Sequence, residues 1–190
     1  MTETLYKSGI YIRADLTGLI EALASGLEGL GYIVERASGG PLPSSPDTLA
    51  TISLMTWTDK WVWLHFNDDK DWMGEIVDGV KNGPLYTDII HCYYEPDLGE
   101  YSYTCFRSGK LVETFSSGGP GLGTIVFKSD LRKISIGSII DGGKFMVESL
   151  SMLGLEPLPE EPDSQETTQI CFSPPEKGSF FRMLLGALKK

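Results

Sequence analysis

The chain has 190 residues, of which 41% are hydrophobic and 22% charged, and these values are typical of one globular domain with a single core. Its formal net charge of −10 disfavours nucleic acid as a ligand, because that binding depends mainly on Lys and Arg side chains that neutralise phosphates. No run approaches the roughly 18 consecutive apolar residues of a membrane span, and the first ten residues lack the pattern of a secretion signal. We therefore expect a cytoplasmic protein without a membrane span.

The first predicted element is a helix that Asp15 caps at its start. Its leucines and isoleucine recur at spacings of three and four, which places them on one face, and Gly31 ends it. The stretches "YIVERAS", "TLATISLMTWT" and "KWVWLHF" then predict three strands, because each is rich in β-branched and aromatic residues between turn signals. We expect these strands to form an antiparallel meander.

The middle of the chain predicts a second helix, "DWMGEIVDGVKN", which is followed by an Asn-Gly-Pro stop signal. The next stretch, "TDIIHCYYE", predicts a strand that leads through the turn at 96–99 into a hairpin over 100–117. A hairpin turn at Ser108 and Gly109 fixes the expected register. The predicted opposite pairs are Arg107 with Lys110, Phe106 with Leu111, Cys105 with Val112, and Tyr103 with Thr114.

Both faces of this hairpin carry apolar side chains, which predicts a place inside a larger sheet that is at least partly covered on both sides. Later in the chain, "TIVFK" and "TQICFS" predict strands, and "SIGSIIDGGKFMVESLSMLGL" and "GSFFRMLLGALKK" predict helices. The pair Gly142 and Gly143 leaves open whether the middle of the first of these two stretches is helical, since an internal glycine costs about 1 kcal/mol relative to alanine.

Together these elements predict a single α+β domain over residues 1–190. We expect a mostly antiparallel sheet of about six to eight strands with three to four helices. The Pro-rich stretches near 39–47 and 156–168 are expected to be exposed or flexible.

Three cysteines, Cys92, Cys105 and Cys171, are odd in number and widely spaced within apolar strand-like runs. This pattern disfavours a disulfide framework and a zinc site. We expect buried free thiols, no metal and no cofactor.

One candidate pocket follows from the two histidines, His65 and His91. Adjacent residues of a strand point to opposite faces, so His91 cannot pair with Cys92, but a cross-strand pair with Cys105 stays open. The glycine-rich loop at 118–123, with Gly119 and Gly121, follows the hairpin, and backbone amides in such a loop can hold an anion. These features indicate a small-ligand site or an enzyme.

A second candidate is a surface of aromatic and acidic side chains. Aromatic rings are enriched at the energetic centres of interfaces, although core packing also explains them. Rings that lie beside carboxylates would suit a basic protein partner. The candidate partner-binding residues are Trp61, Trp63, Asp68, Asp69, Glu95, Asp97, Glu100, Tyr101 and Tyr103.

The stretch "IIHCYYEPDLGEYSYTCFRSGKLVETFSS" combines a strand, an acidic turn, an aromatic strand and a Gly turn. In this order it resembles a loose group of uncharacterised bacterial α+β proteins, some of which look like immunity partners of polymorphic toxins. The resemblance implies a non-catalytic, acidic protein-binding protein, and it transfers no functional residue. The alternative is the enzyme or small-ligand binder with the pocket near His91.

Overall fold

The computed structural model describes residues 6–29, 32–38, 50–66, 87–118, 124–157 and 167–173. Within these ranges the chain forms nine strands, two α-helices and one 3₁₀ turn at Ile136–Ser138. The strands are β1 (Gly9–Ile12), β2 (Ile33–Ser38), β3 (Ala50–Thr58), β4 (Trp61–Phe66), β5 (Ile89–Glu95), β6 (Glu100–Arg107), β7 (Lys110–Ser117), β8 (Ile125–Ser129) and β9 (Thr168–Ser173). The helices are α1 (Leu16–Gly29) and α2 (Gly142–Met152).

All nine strands belong to one sheet, in the order β2-β9-β3-β4-β1-β5-β6-β7-β8, and every neighbouring pair is antiparallel. The α+β class and the antiparallel sheet are therefore confirmed. The sheet exceeds the predicted six to eight strands, because four-residue β1 is too short for its alternation to be recognised in the sequence. Of the predicted helices, those at 71–82 and 178–190 lie outside the described residues.

The predicted meander is wrong at its first step, because β9 lies between β2 and β3. Ile33 of β2 is opposite Ser173, and Ala50 of β3 is opposite Phe172. Strands β3 and β4 do pair directly. Local pattern cannot reveal an insertion by a strand so distant along the chain, since it carries no information on non-adjacent pairing.

The two helices cover opposite faces of opposite halves of the sheet. Helix α1, whose Gly18 amide donates to the capping Asp15 carboxylate at 2.7 Å, packs Leu19, Leu23 and Leu27 on the half that contains β3, β4 and β9. Helix α2 packs Met146 and other apolar side chains against β6 and β7 on the other face. On the face of β5–β8 opposite α2, Ile89 and Phe106 join the hydrophobic cluster that contains the α1 leucines. No described helix covers the rest of this face, and we call it the open face.

Helix α2 begins at its glycine pair, which corrects the helix predicted from residue 135. Asp141 caps it, and its carboxylate accepts from the Lys144 amide at 2.9 Å. A Cβ atom on Gly143 would lie 2.9 Å from Cζ of Tyr101, so a larger residue would collide with β6. The glycines thus allow the first turn of α2 to approach the sheet closely.

The hairpin of β6 and β7 turns at Ser108 and Gly109, both with positive φ, as expected for a two-residue hairpin turn. The pairs of Arg107 with Lys110 and Phe106 with Leu111 are confirmed. A β-bulge then shifts the register, so that Cys105 faces Glu113 and Tyr103 faces Phe115. The predicted pairs of Cys105 with Val112 and Tyr103 with Thr114 are therefore wrong, and the shift turns Glu113 toward α2.

Cys92, Cys105 and Cys171 are free and buried, which confirms that expectation. No described helix is long and apolar enough to cross a membrane. Segment 39–47 lies outside the described residues. Of segment 156–168, residues 156, 157, 167 and 168 are described. The Glu156 carbonyl accepts from Nε1 of Trp57 at 2.8 Å, and Thr168 is the first residue of β9.

Candidate interaction surface

Two rows of mostly polar side chains cross the open face. The register aligns one residue from each of β5, β6, β7 and β8 in each row. The first row is His91, Thr104, Thr114 and Lys128, and the second is Tyr93, Ser102, Ser116 and Val126. Because of the bulge in β7, hydroxyl side chains occupy the centre of both rows.

Tyr93 is the large aromatic ring of these rows, and it is 40% exposed. Ser102 and Ser116, next to it in the row, are half-buried. A tyrosine offers a large contact area with only two side-chain torsions to fix, and serine hydroxyls adapt as donors or acceptors. This combination is suited to binding another protein's surface.

The turn from β5 to β6 adds negative charge beside Tyr93. Glu95 and Glu100 are direct cross-strand partners, Asp97 is exposed between them, and Leu98 is 53% exposed. We call residues 95–100 the acidic turn. Partial desolvation, the charges of Glu100 and Glu95, and a hydrogen bond with Glu100 raise the pKa of Tyr93, so its hydroxyl stays protonated at neutral pH.

The structure brings together three of the predicted partner-binding residues, Glu95, Asp97 and Glu100, in the acidic turn. Trp61 and Tyr103 instead lie in the core, at 2% and 1% exposure. The Trp61 indole donates to the Gly154 carbonyl at 2.8 Å. These two rings therefore offer no surface to a partner.

Two further aromatic candidates are half-buried on the face opposite the open face. Trp63 stacks on His65, with ring centroids 5.4 Å apart, and Tyr101 packs against Gly143 of α2. The remaining candidates, Asp68 and Asp69, lie outside the described residues.

The alternative pocket loses its central pair of residues. His91 is opposite Thr104 on the open face, whereas Cys105 is opposite Ile90 on the covered face, so the sheet separates them. Burial raises the pKa of the Cys105 thiol to about 12, which keeps it protonated. Gly119 and Gly121 lie outside the described residues. Among the described residues, no group of three His, Cys, Asp or Glu side chains is placed to hold a metal ion.

A buried ion pair beneath α2 was not anticipated. Arg132 binds Glu113 through both carboxylate oxygens, from Nη2 to Oε1 at 2.8 Å and from Nε to Oε2 at 3.0 Å. The hydroxyls of Tyr103 and Ser129 each donate to the same carboxylate at 2.6 Å, and Arg132 also donates to Ser149 at 2.6 Å. Glu113, 1% exposed, thus joins β6, β7, β8 and α2 in one network.

This network is an anchor rather than a reactive centre, because both carboxylate oxygens and the guanidinium are occupied. The Arg132 guanidinium also packs beside the rings of Phe127 and Phe145, 5.4 and 5.3 Å from their centroids. An open groove of about 420 Å³ runs past Arg132, but Glu113 already neutralises the charge that an anionic ligand would need. The bulge that buries Glu113 leaves no recognisable sequence signal.

The anchor predicts a pH dependence of stability. Burial acts to raise the pKa of Glu113, but hydrogen bonds from Arg132, Ser129 and Tyr103 outweigh it and hold this pKa below 4.5. The folded state therefore binds fewer protons than the unfolded state just below pH 4.5, and its stability falls as pH falls through the folded pKa. In urea unfolding between pH 7 and pH 3, the free energy of unfolding of Glu113→Gln should fall less with decreasing pH than that of the unchanged protein. An equal fall in both proteins would contradict this role of Glu113.

No protein family, curated protein or solved structure matches the chain.

Proposed function

We propose that this chain is a non-catalytic protein-binding protein that holds a basic protein partner on the open face and the acidic turn. The supporting observation is the side chain of Tyr93, which is 40% exposed at the point where the second row of the open face reaches the acidic turn. An immunity-like role, with a toxin as the partner, is the form that the sequence resemblance favours. The three free thiols are compatible with a reducing compartment, and we place the complex in the cytoplasm.

The charge distribution supports a basic partner. A net charge of −10 accelerates the approach of a positively charged protein, and the acidic turn concentrates part of that charge beside an aromatic contact. Exposed charges are screened over about 10 Å at 0.1 M salt. Association should therefore slow as salt is added, whereas the contact through Tyr93 should be less sensitive.

Replacing Tyr93 with alanine is expected to weaken partner binding about tenfold, which corresponds to about 1.4 kcal/mol, because the ring supplies the main contact area. The partner would be isolated by capture on the immobilised protein, identified by mass spectrometry, and titrated calorimetrically against both forms. The ring is not part of the core, so we expect the free energy of unfolding to change by less than about 0.5 kcal/mol. Equal affinities for the two forms would refute a contact through Tyr93.

A matched pair of charge reversals tests the acidic turn. Asp97→Lys should slow association and weaken binding, while Asp59→Lys should have little effect. Both aspartates are exposed, but Asp59 lies in the turn between β3 and β4, at the opposite end of the sheet. The two substitutions change the net charge equally, so an equal loss would assign the effect to overall charge and not to the acidic turn.

A further inference from the structure

Strand β8 is the last strand of the sheet, and its outer edge pairs with no other described strand. The Asp130 amide donates to the Val112 carbonyl at 2.8 Å, and this bond shows which groups of β8 face β7. Hydrogen-bonded pairs alternate along an antiparallel ladder, so the residues two and four positions before Asp130 also bond to β7. The amides and carbonyls of Ile125, Phe127 and Ser129 therefore point away from the sheet, and the described part of the chain gives them no backbone partner.

This outer edge adjoins the groove beside Arg132. The groove is lined by Phe127 and Ser129 of β8 and by residues 132–135 of the loop that follows. Phe127 belongs to the hydrophobic cluster under α2, so the groove lies on the α2 side of the sheet. An extended chain added to the edge directs alternate side chains to this side. Because Arg132 is already paired with Glu113, the groove suits an apolar side chain from such a chain.

Two lysines give the edge a positive charge. Lys128 in β8 and Lys133 at the groove are exposed, and neither forms a salt bridge with a described residue. Lys128 lies on the open face next to Val126, which is 40% exposed. With Asp130 included, residues 124–135 contain three basic side chains and one acidic side chain, although the whole chain carries −10.

The charges select the occupant of this edge. A lysine in an edge strand disfavours pairing with a second copy, because a two-fold dimer through β8 would bring the unpaired lysines of both copies onto one joint. An acidic strand meets the opposite situation, since unlike charges on neighbouring strands attract.

We propose that β8 binds an extended acidic peptide segment of another protein as an additional strand. Its acidic side chains lie beside Lys128 on the open face, and an apolar side chain enters the groove. This binding goes beyond the proposed function, because it uses a different edge and a partner of opposite charge.

Titration of the full chain with synthetic peptides tests this strand addition. The probe is fluorescein-labelled Glu-Val-Glu-Leu-Glu-Val-Glu, which when extended has its glutamates on one side and its apolar residues on the other. One control peptide has lysine in place of every glutamate, and another is the acidic peptide with methylated backbone nitrogens, which cannot donate hydrogen bonds. Only the unmethylated acidic peptide should bind, and failure of that peptide to bind would overturn the proposal.

Hydrogen exchange distinguishes strand addition from simple attraction between charges. With saturating acidic peptide, the amides of Ile125, Phe127 and Ser129 should exchange about tenfold more slowly, because each gains a hydrogen bond. The amides of Val126 and Lys128 already bond to β7 and should not change. Binding without this alternation would overturn the proposal, and so would slow exchange that appears without peptide as protein concentration rises, since it would assign the edge to a second copy.

A matched pair of charge reversals completes the test. Lys128→Glu should weaken binding of the acidic peptide about fivefold, because it replaces an attraction between neighbouring strands with a repulsion. Lys60→Glu changes the net charge equally at an exposed position between β3 and β4, and it should have little effect. An equal loss in both variants would overturn the role of the β8 edge. Neither substitution alters Tyr93, so the outcome is independent of the proposed function.

Discussion

Replacing Arg132 with alanine is expected to lower the free energy of unfolding by about 3–5 kcal/mol. The substitution leaves the Glu113 carboxylate at 1% exposure without the cation that binds both of its oxygens. It also removes the donor to Ser149 and the cation that packs beside the rings of Phe127 and Phe145. An uncompensated buried charge is more costly than any of these lost contacts alone.

Lys133 provides the matched control, since it is the next residue along the same loop and is exposed. Lys133→Ala should change stability by less than about 0.5 kcal/mol. Urea unfolding of the three proteins at pH 7 gives the comparison. A loss below about 1 kcal/mol for Arg132→Ala would show that the ion pair does not hold β8 and α2 to the sheet.

Replacing Gly9 with alanine is expected to cost about 3 kcal/mol, from backbone strain and overpacking together. Gly9 has a φ of 151°, a backbone angle that residues other than glycine rarely adopt. An added Cβ would lie 2.6 Å from Nε1 of Trp63 and 2.8 Å from the carbonyl oxygen of Leu64. That carbonyl belongs to β4, which pairs with β1 at the centre of the sheet. It cannot move without disturbing the strands on both sides.

Gly26→Ala is the control, because an added Cβ there meets no atom within 4 Å and the residue lies inside α1. Alanine is preferred over glycine in helices, so this substitution should stabilise the protein by up to about 1 kcal/mol. The two changes add the same methyl group and are expected to act in opposite directions in thermal unfolding. If Gly9→Ala left the stability unchanged, β1 and β4 would have to move apart to accept the added methyl group, which would contradict this prediction.

Local elements could be predicted because their signals are local. Asp15 and the leucine spacing identified α1, and the Ser108-Gly109 turn placed the hairpin and its first two pairs correctly. The bulge in β7 could not be predicted, because an added residue in a strand changes register without changing composition. That single shift decides that Glu113 is buried and that Thr114 lies on the open face.

The positions of three residues of the acidic turn could also be predicted from local signals. Asp97 lies in the Pro-Asp-Leu-Gly turn that Glu95 and Glu100 flank, and turn chemistry alone places all three outside the core. Trp61 and Tyr103 gave no such signal, because the position of α2 and the residues after it determines which side of each strand is covered. Tyr93 was not among the predicted partner-binding residues, although it shares its face of "IIHCYYE" with His91 and Glu95, whereas the other face carries Ile90, Cys92 and Tyr94.

The position of β9 between β2 and β3 has a consequence for folding kinetics. Until residues 168–173 have been synthesised and have closed a very long loop, β2 has no place in the sheet and one edge of β3 has unpaired amides and carbonyls. Long-range strand pairing of this kind slows folding, and open strand edges promote aggregation. The nascent chain therefore passes through a stage at which a chaperone that covers the edge of β3 would increase the yield of folded protein.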